Sequence, residues 1–403
     1  MNTVHKFLIL GAGPAGLSFA NRLLQNGHSD FLVLEAEAQA GGLCRSVDVD
    51  GYALDIGGGH ILDVRRPEVV KFLFQFMPRE EWNHFVRDTA IHINGKYISH
   101  PFEANIWQMD IDSQVEYLTS IAKAGCVTGK PMPQKFTDWI VWKLGRKIAD
   151  NYMLPYNTKM FGSELDNLGT YWLEKLPDVS FEDTIRSCLE HHAYAKQPGH
   201  AEFFYPIEYG YGELWLRMAE ALDGRVLYNQ KIAAIDFDAH TVRTHEGAEF
   251  HGDIIINTIP YAEFRELRGM PGTLQKSIAG LKHTAVQVKY SPENLEIPHQ
   301  WLYYPDMDLS YHRIFVRHNV LLGSKGIWYE TNTDRIEPDT KDFTYINKYS
   351  YPLNTTSKPQ IMADLLEWLK GHNIFGLGRW GEHQHYNSDL TVELGMKLAD
   401  KLS

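Results

Sequence analysis

The most constraining feature of this chain lies in its first thirty-five residues. Phe7-Leu-Ile-Leu10 is a short apolar run of strand character, residues 15–24 carry helical periodicity, and Phe31-Leu-Val-Leu34 is a second strand-like run. A helix crossing between two strands dictates that they pair in parallel. Between the first strand and the helix sits Gly11-Ala-Gly-Pro-Ala-Gly16, and Glu35 ends the second strand nineteen residues after Gly16. Gly11 permits the tight turn, Gly13 lets backbone approach a pyrophosphate, and Gly16 lets helix and strand pack closely. Pro14 and Ala15 open a helix whose N-terminus faces the anion. Glu35, followed by Ala36, is placed to accept hydrogen bonds from a ribose diol. Glycines, strand, helix and acidic residue in this order specify an ADP-ribose site.

Two further glycine clusters select the dinucleotide. Soon after Glu35 comes Ala40-Gly-Gly-Leu-Cys-Arg-Ser46, and then Asp55-Ile-Gly-Gly-Gly-His60. Gly41 and Gly42, with Leu43 and Ser46, let backbone pass close to a bulky flat ligand, and Gly58 and Gly59 bring amides and the His60 imidazole to one place. An extended ligand contacted by several separated loops fits FAD better than NAD.

The 403 residues are 44% hydrophobic and 22% charged, the balance of a folded globular protein. Single cores stop growing near ~250–300 residues, so two or three domain-sized units are expected. With 39 Lys+Arg against 51 Asp+Glu the net charge is −12, which argues against nucleic acid as a partner. A local basic pocket for a small anion is compatible with that balance. No apolar run approaches the roughly 18–20 residues that span a bilayer. Residues 1–6 lead into the first strand without a signal-peptide pattern, so no membrane partner and a cytoplasmic location are expected. The three cysteines, Cys44, Cys126 and Cys188, are widely spaced and suggest neither a disulfide framework nor structural zinc. His191-His192, His312, His318, His383 and His385 lack the carboxylate partners and the i, i+4 spacing of a site such as HExxH, so no metal is expected.

From about Phe85 to Gly199 the chain becomes polar, aromatic-rich and helical in period, notably over 113–124, 136–151 and 181–192. Strand patterning resumes over 225–228, 232–237 and 253–257, and alternation marks 286–290, 301–304, 314–317 and 326–330. A last strand is expected at 374–378 and a last helix at 390–402, N-capped by Ser388 or Asp389. The expected fold class is α/β. A Rossmann-type FAD-binding domain is discontinuous over 1–85, 200–265 and 365–403; a helical substrate subdomain spans 86–199, and an antiparallel-sheet substrate domain covering the flavin spans 266–364.

With these motifs in hand, the chain resembles the FAD-dependent family that includes UDP-galactopyranose mutases, with protoporphyrinogen oxidase, phytoene desaturase and amine oxidase as more distant cousins. Glu35, Gly41-Gly-Leu43 and Gly58-Gly-His60 are similar to motifs most of these flavoproteins share, although the run of three glycines is one longer than the mutases' pair. They point to flavin and not to a reaction. Other patches are similar to segments peculiar to the mutases. Asn94-Gly-Lys-Tyr-Ile-Ser-His-Pro-Phe-Glu-Ala-Asn105-Ile resembles a hairpin leading to a Pro-Phe pair and an asparagine. Pro155-Tyr-Asn-Thr-Lys-Met160 resembles a segment before the substrate helices, and Trp172-Leu-Glu-Lys-Leu-Pro177 an arginine-bearing turn. Tyr209-Gly-Tyr-Gly212 with Trp215 is like a glycine-rich turn before a helix. Trp301-Leu-Tyr-Tyr-Pro305 and Tyr311-His-Arg313 resemble paired strands that meet a nucleotide diphosphate. Gly378-Arg379-Trp-Gly381 and Asn387-Ser-Asp389 parallel the stretch that closes over the flavin.

The resemblance implies a non-redox interconversion of pyranose and furanose rings on UDP-galactose or a related nucleotide-sugar, for cell-surface polysaccharide. In such mutases reduced FAD attacks the anomeric carbon through N5, expels the nucleoside diphosphate and forms an N5–sugar adduct. NADH or NADPH as reductant and a homodimer as assembly are compatible with it. It further implies substrate contacts at His100, Phe102, Asn105, Tyr156, Asn157, Trp172, Lys175, Tyr303, Tyr311, Arg313 and His385. Cofactor contacts would add Ile232, Gly378, Arg379, Asn387, Ser388, Asp389 and Leu390. His60, whose imidazole ordinarily titrates near neutral pH, would support N5 chemistry; Arg313 would hold the diphosphate through its bidentate fork. Three donors depart from the mutase pattern: Lys175 stands for a second arginine, and His100 and His385 for tyrosines. They put UDP-galactose itself in doubt. Two other readings stand beside this one: a flavin oxidoreductase of the protoporphyrinogen oxidase, amine oxidase or desaturase type, and a flavin-holding protein without catalysis.

Overall fold

A computed structural model describes residues 4–173, 176–194, 201–336 and 342–403. The glycine-turn unit forms as its residues dictate: Val4–Leu10 and Phe31–Leu34 pair in parallel, Phe7 opposite Phe31, with the helix Pro14–Gln25 crossing between them. Glu249–Asn257 pairs in parallel along the other edge of the first strand, and Val226–Leu227 along the far edge of the second. Glu249–Asn257 then forks. Its first residues pair antiparallel with Thr241–Thr244, and its last pair in parallel with Ile374–Gly376. Ile232–Asp236 and Glu266–Arg268 complete an eight-stranded sheet drawn from distant parts of the chain.

Side chains on this sheet alternate with the period of two that a strand imposes. Phe7 and Ile9 enter a large core with Leu17, Phe19 and Leu23 of the crossing helix. Leu8 and Leu10 enter a second core with Ile255 and with Leu365 and Leu369 of the helix Lys358–Lys370. Both faces are covered, as the parallel strands at the centre of the sheet require.

A second sheet runs in the order Thr344–Pro352, His283–Ser291, Ile327–Asn332, Arg313–Val316, Trp301–Tyr303, Thr89–Ile93, Lys96–Ser99. Its pairs are antiparallel except Trp301–Tyr303 with Thr89–Ile93. Ile91, Trp301, Tyr303, Phe315 and Trp328 face the large core shared with the first sheet. Ala90, Leu302, Tyr304, Ile314 and Ile327 face a small separate core.

The expected segment boundaries differ from this pairing at two places. The hairpin Thr89–Ser99, expected with the helical stretch, extends the second sheet, because its apolar residues pair with Trp301–Tyr303. Glu266–Arg268, expected with the second sheet, pairs with Ile232–Asp236 in the first. The helices Ile111–Ala122, Phe136–Ile148, Leu154–Phe161 and Phe181–Glu190 fill the stretch between. The terminal helix Ser388–Leu402 has Asn387 at its N-cap position, one residue before Ser388 and two before Asp389, the expected caps.

One connection positions the site. The hairpin Ser46–Val49/Tyr52–Asp55 leads into the Gly57-Gly-Gly-His60 loop and lies against the second sheet. Arg317, 1% exposed, donates to Val49 O at 2.9 Å and Tyr52 O at 3.2 Å in the hairpin, and to Lys325 O at 2.6 Å. Asn347 donates to Ile56 O at 2.5 Å. At the hairpin's end the buried Asp55 accepts from Ser46 Oγ at 2.6 Å, Tyr205 OH at 3.0 Å and Tyr211 N at 3.1 Å.

Candidate active site

Three glycine loops converge at the start of the helix Pro14–Gln25. The chain turns through Gly11 at φ +101°, where a Cβ would lie 2.6 Å from Thr258 Oγ1. A Cβ on Gly16 would meet Gly11 O at 2.0 Å, and one on Gly42 would stand 3.3 Å from Gly13 Cα. Gly41 N donates to Ala12 O at 2.8 Å, which docks the second loop on the first. Gly378, at φ +74°, brings the third so close that a Cβ would be 2.7 Å from Ala15 Cβ. Gly13 is the helix N-cap and supplies no side chain, so the first-turn N–H groups face outward for an anion.

Glu35 accepts from Ala12 N at 2.7 Å through one oxygen and from Glu37 N at 2.9 Å through the other. Burial raises its pKa, and each oxygen keeps a lone pair for a ribose hydroxyl. Ala36 is exposed beside it. Ile232 opens its strand two residues after Gln230, whose N–H donates to Glu35 O at 2.7 Å. A cradle with no room for a Cβ, an uncapped helix start and a buried acidic residue fit the pyrophosphate and ribose of a flavin dinucleotide. Other expected contacts are engaged within the chain. Ser46 Oγ also accepts from Gly212 N at 2.8 Å, Ser388 Oγ lies 2.8 Å from Tyr211 OH, and buried Asp389 is ion-paired to Arg66. Leu43 O would be 1.8 Å from a Cβ on Gly57, so Leu43 shapes the loop through its backbone. Asn387 and the partly exposed Leu390 flank the start of the last helix. Arg379 donates to Tyr386 O at 2.8 and 3.0 Å and to Ser350 O at 3.1 Å.

The Gly57–His60 loop lies flat on the second sheet: a Cβ on Gly58 would be 2.9 Å from Glu330 Oε1, and one on Gly59 2.7 Å from the Phe315 ring. On that face Tyr303 stands opposite Arg313, and Arg313 opposite Glu330. Glu330, with its side chain 1% exposed, is ion-paired to Arg313 Nη2, which also donates to Tyr351 OH at 3.3 Å. Burial opposes the Arg313 charge, yet the Glu330 carboxylate holds the pKa well above its ordinary value. Arg313 Nε and Glu330 Oε1 are buried without a hydrogen-bond partner. Tyr156 lies 5.2 Å from Tyr303, ring to ring, His100 5.8 Å from Tyr303, and His385 4.9 Å from Tyr351.

His60 departs from its expected titration. Burial first, then the Arg379 and Arg313 charges, push its pKa down to about 3. Nδ1 lies 2.9 Å from Gly58 O, and a carbonyl only accepts, so Nδ1 carries the proton and Nε2 presents a lone pair. His100 is likewise pushed to about 3, by burial and by Arg87.

Several expected substrate residues are engaged within the chain, and one faces away. Tyr311 packs on Tyr304 at 5.1 Å and Tyr329 at 4.7 Å beside the small core, because it precedes Arg313 by two residues outside the strand and turns to the other face. Phe102 has no exposed surface and packs on Tyr117 and Tyr152. Asn105 donates to Pro101 O at 2.9 Å and Asn157 to Met153 O at 2.7 Å, both holding local turns. Trp172 donates to Gly169 O at 2.7 Å and packs 4.9 Å from Phe136. Lys175 lies outside the described residues. Glu330, Tyr351 and Arg87 join the site without having been singled out in the sequence. Glu330 ended a strand-like run, and its pairing with Arg313 is a tertiary fact.

A mostly parallel sheet ending in a glycine-turn cradle, faced by a second sheet that carries a guanidinium among tyrosines, defines a flavin dinucleotide protein. The model of the family described as flavin containing amine oxidoreductase matches residues 14–289, and the chain belongs to that family. It is a flavin enzyme by fold. Over 52 residues, 13% of this chain, it is 50% identical to an uncharacterized protein in the nifH2 3' region of Methanothermococcus thermolithotrophicus, and the match spans 49% of that relative's length. Among solved structures it is similar to reduced UDP-galactopyranose mutase, at 22% identity and a TM-score of 0.87, over 98% of this chain and 95% of that one. It is also similar to a putrescine oxidase redesigned in its cofactor binding, at 14% identity and a TM-score of 0.64, over 99% and 98% of the two chains. At these identities the likeness establishes the shared fold. Among the described residues no helix is long and apolar enough to cross a membrane.

Proposed function

We propose that this chain is a nucleotide-sugar mutase that interconverts pyranose and furanose rings of UDP-galactose or a related nucleotide-linked hexose, for cell-surface polysaccharide. The observation that carries the reading is the pairing of Arg313 with Tyr303 on the sheet face against which the Gly57–His60 loop lies. Bound FAD, reduced at the expense of NADH or NADPH, would supply the nucleophile at N5, held by Gly11, Gly13, Gly16, Glu35, Gly42 and Gly378. Arg313 would direct its free Nε–H at the diphosphate while Glu330 and Tyr351 fix the plane of the guanidinium. Tyrosine hydroxyls add neutral donors that stabilise the departing diphosphate without changing charge. Neutral His60 would accept a hydrogen bond at Nε2 from the flavin edge or a sugar hydroxyl.

The test begins with the purified protein, its bound FAD identified by absorbance, reduced anaerobically with dithionite and offered a panel of nucleotide-sugars. Ring interconversion is expected only in the reduced state, with Arg313→Ala lowering kcat/KM by roughly 10²-fold or more. The second reading, an amine-directed flavin oxidoreductase, is favoured by the unpartnered Glu330 Oε1, an acceptor for an ammonium. Bleaching of the oxidised flavin by an amine, with no sugar turned over, would replace the first reading by the second.

A further inference from the structure

We infer that Arg87, together with the Tyr303 hydroxyl it holds, forms a second anion subsite for the diphosphate; this rests on the nucleotide-sugar reading above. A diphosphate brings two negative charges, and the charges of the cations around Tyr303 must be counted against it. Arg313 is neutralised by Glu330. Arg379 meets only neutral acceptors among the described residues and keeps its charge, but its donors are spent on the carbonyls of Tyr386 and Ser350. Arg87 is differently placed. It lies two residues before Thr89, which pairs with Trp301 in the strand pair that also sets Ile91 beside Tyr303. By the period of two, Thr89 and Ile91 share a face with Trp301 and Tyr303, and Arg87, just before the strand, reaches that face through its side-chain contacts.

Its contacts are all to neutral groups. Nε donates to Thr89 Oγ1 at 3.0 Å, Nη2 donates to Tyr303 OH at 2.9 Å, and the guanidinium stands 4.8 Å from the Trp301 ring centroid. Among the described residues no carboxylate lies within 4.0 Å of it, and the neighbouring Asp88 is taken by His299 at 2.6 Å. A partly buried guanidinium therefore keeps its full positive charge beside the site, where it helps keep His100 neutral. The hydrogen bond also orients Tyr303. Its oxygen accepts from Arg87, so its own O–H is left to donate to a substrate oxygen, on the side where Tyr156 and His100 stand. One guanidinium thus supplies long-range attraction and an aligned neutral donor.

The test is a titration of UDP into the flavin-loaded, oxidised protein, followed by the shift in flavin absorbance, with uridine as the probe for the base alone. For Arg87→Gln the Kd for UDP is expected to rise about tenfold or more and its dependence on salt to flatten, with uridine binding and flavin content unchanged. Arg87→Lys should recover part of the affinity and the salt dependence. Tyr303→Phe, which keeps the ring packing, should weaken UDP several-fold on its own, and it carries the test should the Arg87 variants lose flavin. UDP binding within twofold of wild type in Arg87→Gln, or in Tyr303→Phe, would overturn the inference while leaving the mutase reading intact. A wild-type protein that binds neither UDP nor any other nucleoside diphosphate would overturn that reading and the subsite with it.

Discussion

His100 illustrates what a site does to a single group. Its folded pKa of about 3 lies well below the ~6.5 of an unfolded histidine. Above pH ~6.5 both states are neutral and His100 contributes nothing to the pH dependence. Below it the unfolded chain takes a proton that the folded chain refuses, so stability is lost as pH falls from ~6.5 toward 3. His60 acts in the same direction. Asp55, pushed up to about 7 by burial, acts oppositely: the folded state holds the extra proton, so stability declines as pH rises from ~4 to 7. Removing one histidine separates the two effects. The Tm of His100→Gln should fall less than that of wild type between pH 7 and 4.5, by on the order of a few °C. Equal slopes would mean that His100 is protonated in the fold. Neither value could be foreseen from spacing, since each arises from burial and from Arg87 or Arg379, brought near by distant pieces of chain.

At the scale of elements, the glycine turn was the most legible part of the molecule, because each glycine answers a local demand. Gly16 and Gly27 separate two such demands. A Cβ on Gly16 would sit 2.0 Å from Gly11 O, a backbone atom that cannot move without breaking the cradle. Gly27 has φ +86° but nothing within 4 Å of a Cβ. Gly27→Ala should therefore cost about 1 kcal/mol through backbone strain alone, whereas Gly16→Ala should abolish flavin retention. Flavin absorbance per protein in the two purified variants checks this, and a flavin-replete Gly16→Ala would contradict it. Period-two alternation likewise made strands such as His283–Ser291 legible, where buried and half-buried residues take turns. Thr344–Pro352 was not, because it inverts the rule: Ile346 is 52% exposed while Asn347 is buried, its amide donating to Ile56 O. A strand whose inward side chains are there to hydrogen-bond the neighbouring loop carries no apolar signature. It was there that Tyr351 went unseen.

For the whole molecule, the decisive question is what holds the second sheet against the flavin cradle, since Arg313 and Gly11 act together only if that seam is rigid. Arg317 is the tie. It is nearly solvent-free, has no carboxylate within ion-pair distance among the described residues, and divides its donors among Val49 O, Tyr52 O, Lys325 O and Tyr290 OH. Burial lowers its pKa, so its charge is maintained by those acceptors. Arg317→Met would keep the stem but leave three partly buried carbonyls without their charged donor, at a cost of about 2–4 kcal/mol. At roughly 2–4 °C per kcal/mol this lowers Tm by about 5 °C or more. Arg22→Met supplies the contrast. Arg22 meets Asp400 at 2.5 Å on a half-exposed surface, where an ion pair is worth about 1 kcal/mol or less. Because the hairpin tied by Arg317 leads directly into Gly58 and His60, the loss should appear as flavin affinity as well as Tm. Excess FAD should then restore much of the Tm by mass action. Equal Tm losses in the two variants, or a loss in Arg317→Met that FAD does not touch, would show that the hairpin and the cradle are mechanically independent.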